Sequence, residues 1–153
     1  MNRTSLLESL WVLTGMSVAL SLLLLVIDAE HGLALTSIGS TAVLLFCFPN
    51  HEGAQPRTVL IAHLLGALIG FGLLYSVGAH AWSMALGVAL IAVVMKLGNI
   101  MHPPAGANPL IVLNIKASWM FLVDPLLLAL VILMAVAWLW SRLRPGPRWP
   151  QAW

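Results

Sequence analysis

Charge is what this sequence has least of. Only 8% of its 153 residues are Asp, Glu, Lys or Arg, whereas soluble domains carry about a quarter, so the chain cannot clothe a water-soluble fold in polar surface. Seven basic residues stand against five acidic ones. They are scattered or sit at segment ends, which excludes a nucleic-acid-binding face and fits membrane topology instead. Cysteine is almost missing too. The single Cys47 lies in an apolar run, so a disulfide framework and a thiolate metal site are both excluded, and it is expected as a small buried hydrophobe. Nucleophile elbow, Gly-rich phosphate loop and clustered carboxylates are all lacking, which argues against an enzyme. His31, His51, His63, His80 and His102 are spread over several loops and helices with no metal-ligand spacing, so neither a metal nor another cofactor is expected.

What is there is hydrocarbon. The chain is 61% hydrophobic with a mean hydropathy of +0.99, and it reads as an all-α polytopic membrane protein in one domain. Four segments approach the ~20 residues that cross a bilayer: about 6–27, 58–77, 82–97 and 119–140. The first is too long and too poorly bounded for a cleavable signal peptide. Its Thr14, Ser17 and Ser21 are expected to bond back to their own backbone. Two shorter segments, 36–48 and 104–115, read as half-helices, with Gly39 opening one and Gly106 the other. In the third segment His63, Gly66, Ala67 and Gly70 share a face on which another backbone can approach closely. In the fourth Ala85, Ala89 and Ala92 do the same. The tail 141–153, with Arg142, Arg144 and Arg148 among prolines and tryptophans, is expected to lie at the interface.

Charge placement counts the crossings. Six crossings put Arg3, Arg57, Lys96 and the three tail arginines on one side and leave Lys116 alone on the other, which the positive-inside rule makes a cytoplasmic-termini arrangement in a cell inner membrane. Six divide into two sets of three, the second entering from the opposite face, so an inverted repeat is expected. Half-helices from opposite faces would bring free amides and dipole ends together near the midplane, a setting that suits a small anion. On this reading Ser37, Gly39, Ser40, Thr41, Pro104, Gly106, Ala107 and Asn108 line the substrate site. Gln55, Arg57, His63 and His102 shape its access, with His102 at the entrance. The other reading is a non-transporting scaffold or partner-binding subunit, in which the broken helices merely satisfy one another. Bilayer lipid, the anion and further copies of the chain, as a dimer or trimer joined through the small-residue faces, are the expected partners; nucleic acid is not.

Three stretches resemble the signature motifs of the HPP family of integral membrane proteins: Gly39-Ser40-Thr41-Ala42-Val43-Leu44-Leu45-Phe46, Ala54-Gln55-Pro56-Arg57 with His63-Leu64-Leu65 downstream, and His102-Pro103-Pro104-Ala105-Gly106-Ala107. Their order and spacing cover the middle of the chain, from about Thr36 to Val112. The resemblance implies a transporter with four or more spans, and nitrite as the first candidate substrate. Where the family pattern commonly reads Gly-Gly-Ala-Thr after the prolines, this chain has Ala105-Gly106-Ala107-Asn108 followed by Pro109.

Overall fold

The computed structural model describes residues 3–27, 32–143 and 148–152; the acidic turn 28–31 and the tail residues 144–147, Arg144 among them, lie outside the described residues. Six α-helices carry the fold: α1 (Arg3–Val26), α2 (Gly32–Cys47), α3 (Pro56–Ser76), α4 (Ala81–Leu97), α5 (Asn108–Asn114) and α6 (Leu128–Trp140). Short 3-10 turns at Glu52–Ala54, Pro103–Ala107 and Trp119–Leu122, and a π turn at Val123–Leu127, join them. It is an all-α membrane protein. Three segments, Ser5–Val26, Pro56–Ser76 and Trp119–Trp140, are long and apolar enough to span a bilayer. At 16 and 17 residues, α2 and α4 reach roughly 25 Å at about 1.5 Å per residue, close to the ~30 Å hydrocarbon core.

Contacts between loops order the bundle. Trp11 of α1 packs against Trp140 of α6, the rings tilted by 34° with centroids 4.6 Å apart, so the start of α1 and the end of α6 lie at one end of the bundle. The 49–55 loop and the end of α4 meet each other through Gly53 and His102. At the far end of α3, Phe71 and Tyr75 stack on Trp119, with centroids 4.3 and 5.7 Å away. That places the turn after α5 opposite to the 49–55 loop, and α5 therefore advances the chain between the two ends.

Glycine makes room for α5. A methyl group on Gly66 would come within 2.7 Å of the Ala105 carbonyl oxygen, and one on Gly70 within 2.8 Å of Val112 Cβ and 3.0 Å of Pro109 Cα. From the other side Gly87 of α4 admits Pro109, whose Cβ would lie 2.8 Å from an added methyl. The face of α3 expected from the sequence is thus the packed face, with His63, Gly66, Ala67 and Gly70 all buried. On α4 the alanine face is not the one packed within the chain. Ala85, Ala89 and Ala92 are exposed, and the buried stripe is Ser83, Gly87, Ile91 and Met95, in which Gly87 rather than an alanine makes room for α5.

The 36–48 segment also departs from expectation. The helix begins at Gly32, so Gly39 lies mid-helix, where its amide belongs to the helix ladder and opens nothing. No proline interrupts Gly32–Cys47, and the hydroxyls that suggested a break bond one turn back: Ser40 Oγ donates to Thr36 O at 3.1 Å and Thr41 Oγ1 contacts Ser37 O at 2.9 Å. Thr14 of α1 does likewise, 2.8 Å from Leu10 O. Cys47 is exposed at the end of α2 rather than buried, because it falls where the helix leaves the bundle. The tail is tied to the 49–55 loop. Trp149 is buried, its Nε1–H donating to Ala54 O at 2.8 Å.

These contacts predict that Gly66→Ala lowers thermal stability in detergent by about 1–3 kcal/mol of overpacking. Gly72, where an added methyl meets nothing within 4 Å, is the matched control. Its alanine variant should melt within about a degree of wild type or slightly above it, since alanine favours the helix.

Candidate functional site

Among the described residues the deepest polar feature is a cluster formed by Thr41 of α2, His63 of α3, Asn108 at the start of α5, and His102 just before the Pro103–Ala107 turn. All four are 0% exposed. Thr41 Oγ1 stands at the hub, 2.9 Å from His63 Nε2, 3.0 Å from His102 Nε2 and 2.9 Å from the Ser37 carbonyl oxygen. The two ring Nε2 atoms are 3.2 Å apart.

Chemistry assigns the protons. Asn108 Nδ2 lies 2.8 Å from the His63 carbonyl oxygen and 3.0 Å from His63 Nδ1. The carbonyl can only accept, so the amide turns its NH2 that way; Nδ1 accepts as well, and the neutral His63 ring carries its hydrogen on Nε2. His102 Nδ1 sits 2.6 Å from Gly53 O. That oxygen too can only accept, so His102 keeps its hydrogen on Nδ1 and presents a bare Nε2. The two imidazoles are therefore complementary: His63 offers an N–H where His102 offers a lone pair. Asn108 Oδ1 is left over, buried with no partner.

Beside the cluster an open cavity of ≈ 500 Å³ is lined by Thr36, Ser37, Ser40, Leu44, Pro103, Pro104 and Ala107. Three of the four cluster members, all but His63, have a lining residue close by in the chain. Ser37 is one helical turn from Thr41, Pro103 follows His102, and Ala107 precedes Asn108. The cavity thus lies beside the cluster, although none of the four cluster residues lines it.

The residues named from sequence fall into three groups. Thr41 and Asn108 both bond to the His63 ring, at Nε2 and Nδ1 respectively; Ser37, Ser40, Pro104 and Ala107 line the neighbouring cavity; Gly39 and Gly106 lie in α2 and in the Pro103–Ala107 turn. Converging half-helix N-termini play no part, since α2 runs through the region unbroken. Of the access residues, His63 and His102 belong to the cluster itself, so His102 stands inside and not at the entrance. Arg57 is exposed at the start of α3. Gln55 is a staple: its Nε2 donates to Pro49 O at 2.9 Å and His51 O at 3.1 Å, and its Oε1 accepts from the Gln151 amide at 2.9 Å. Sequence reasoning missed Gly53, whose carbonyl sets the His102 tautomer, and Trp149, which pins the neighbouring Ala54. Nothing in either residue type signals such a contact.

The chain matches the transmembrane region of HPP proteins over residues 1–150. It belongs to the HPP transmembrane family. A transmembrane protein of Dictyostelium discoideum is 31% identical over 119 residues, which cover 72% of this chain and 42% of that protein. A second from the same organism is 33% identical over 98 residues, covering 61% of this chain and 32% of its own length. The HPP chain described here therefore spans less than half the length of these curated relatives. No solved structure matches it.

Removing the hub hydroxyl would take away its two ring contacts and leave the His63 Nε2–H and the His102 Nε2 lone pair only each other, across 3.2 Å. Thr41→Val should cost about 1–3 kcal/mol by denaturant or thermal titration in detergent, from two buried hydrogen bonds worth about 0.5–1.5 kcal/mol each. Thr41→Ser, which keeps the hydroxyl, should cost less than about 1 kcal/mol.

Proposed function

We propose that this protein passes a small inorganic anion across the membrane, nitrite first, with Thr41, His63, His102 and Asn108 forming the point at which the anion is held. One observation carries the reading: a wholly buried cluster of hydrogen-bonding side chains, including two imidazoles, lies in an otherwise apolar bundle beside an open cavity edged by Thr36, Ser37 and Ser40. Ionisable residues within membrane segments are costly and usually serve a pathway.

The sign of the solute follows from the donors. No carboxylate is among the buried polar side chains of the described residues, so a metal or ammonium cation would find no counter-charge. An anion meets N–H and O–H groups instead, and hydrogen bonds to a charged partner are the stronger kind. Exposed Arg57, at the start of the helix that carries His63, raises the local concentration of anions before entry. Small size follows from the close spacing of the four side chains. Nitrite is the anion implied by the family resemblance of the three motifs. The same reading puts both termini on the cytoplasmic side, where charge placement favours them, and gathers the chains as dimers or trimers.

Purified protein in liposomes, offered nitrite, nitrate, formate, chloride and bicarbonate in turn, tests the proposal. Nitrite uptake above that of protein-free vesicles is expected. Thr41→Val should slow it by about ten- to a hundredfold, because a hydrogen bond to a charged group is worth about 1.5–3 kcal/mol. No uptake of any of these anions by folded protein would overturn the transport reading in favour of a scaffold.

A further inference from the structure

The carbonyl that holds His102 belongs to a residue that another histidine holds in turn. His51 is the N-cap of the Glu52–Ala54 turn, and its ring Nδ1 accepts from the Gly53 amide at 2.9 Å. Amides in a first turn have no acceptor within that turn, and Gly53 is buried, so the ring takes the place of water. Gly53 is closed in on two sides: a methyl group added there would lie 3.0 Å from His51 Nδ1 and 2.6 Å from Met101 O. Glycine has the most backbone freedom of any residue. Here the cap on its amide and the His102 contact on its carbonyl tie down the peptide planes on either side of it.

We infer that His51 is a pH-sensitive positioning residue for the cluster: its neutral ring steadies His102 through Gly53, and its protonation lets Gly53 go. This rests on the transport reading above and adds to it a regulation of the same site. Accepting from Gly53 takes a bare Nδ1, which the neutral ring provides when its hydrogen is on Nε2. A proton added from water goes to Nδ1, and the imidazolium then turns an N–H toward the N–H of Gly53. Two donors cannot share a bond. The ring therefore swings out, which its exposure permits, and the buried amide loses its partner; the proton returns to water when the pH rises.

The choice of residue makes the cap conditional. Serine, threonine and asparagine are common N-caps and hold an amide at every ordinary pH, whereas histidine changes charge between about pH 5 and 8. The ionisable groups on the elements around the loop are Glu52 beside His51, Cys47 on α2, Arg57 on α3, Lys96 on α4, and Arg142 and Arg148 of the tail, all exposed. His63 and His102 lie behind Gly53, buried in the cluster. The tail touches the loop through the uncharged Trp149, Gln151 and Ala152. Those contacts hold Asn50, Ala54 and Gln55 and leave the Gly53 amide to His51.

The test is nitrite uptake into proteoliposomes held at the same pH inside and out, between about pH 5.5 and 8 and corrected for protein-free vesicles. Wild-type uptake should fall about two- to tenfold from the alkaline to the acid end, the worth of one hydrogen bond. His51→Asn, whose side-chain oxygen caps at every pH, should keep the high rate throughout, and His51→Ala should stay at the low rate throughout. A flat wild-type profile, or a wild-type profile in His51→Asn, would overturn the role of His51 while leaving anion transport standing. No uptake at any pH would overturn the transport reading, and the cap is then decided by a measurement that needs no transport: nitrogen–proton spectra of protein carrying 15N-labelled histidine in detergent. The His102 Nδ1–H signal should shift over the same pH range in wild type and hold still in His51→Asn. An unmoved signal in wild type, or the same movement in both proteins, would overturn the link from His51 to His102.

Discussion

Everything in this bundle is arranged around one hydroxyl that has nowhere else to go. In an apolar interior a polar group must find its partners within the protein, and Thr41 finds them on α2 itself, on α3 and at the entrance to the Pro103–Ala107 turn. Each partner is committed in turn. His63 holds Asn108, and His102 holds Gly53. Three elements and a loop are therefore registered against one another at a point, which greasy packing alone, tolerant of sliding, would not do. The glycines serve the same end: by admitting the backbone of α5 against α3, Gly66 and Gly70 bring Asn108 within reach of the His63 carbonyl.

The membrane class, the helical fold and most helix positions were legible in the sequence because they depend on hydropathy, which is local. The packed face of α3 was legible for the same reason, since small residues at helical spacing state where another backbone comes close. The misreadings share a different cause. A run such as Thr36 to Thr41 looks like a break because its hydroxyls favour helix starts, yet the same hydroxyls can bond to carbonyls one turn back and let the helix run on. Only the environment chooses between these, and here the buried side of α2 does so: Ser37 and Thr41 lie on its inner face, where the cluster needs a continuous helix to hold them.

The histidines were misread for a related reason. Spacing along the chain separates His63 from His102 by 39 positions, and no local motif links them. The pairing is a product of the 49–55 loop, whose Gly53 carbonyl draws His102 inward. That loop is braced from outside by the tail, where Trp149 donates to Ala54 O and the Gln151 amide to Gln55. A residue near the end of the chain thus supports the tautomer of a ring in the middle of the bundle. Such second-hand positioning leaves no trace in residue type. A tryptophan beside arginines and prolines reads equally well as an interfacial anchor, and in fact its ring is spent on the loop.

Asn108 shows how the cluster differs from its simplest alternative. In the family pattern the corresponding position commonly holds threonine, whose one hydroxyl hydrogen could satisfy either the His63 carbonyl or its Nδ1, leaving the other acceptor in need. Asparagine's amide supplies two hydrogens and satisfies both. It thereby fixes the His63 tautomer and with it the direction in which the Nε2 hydrogen points, toward Thr41 and His102. The gain carries a cost, because the same amide buries an oxygen that nothing in the protein reaches, worth about 1–3 kcal/mol against stability. A cluster evolved only to staple helices would gain by removing that oxygen. On the transport reading, that oxygen is the acceptor in the cluster still open to a donor arriving with the solute.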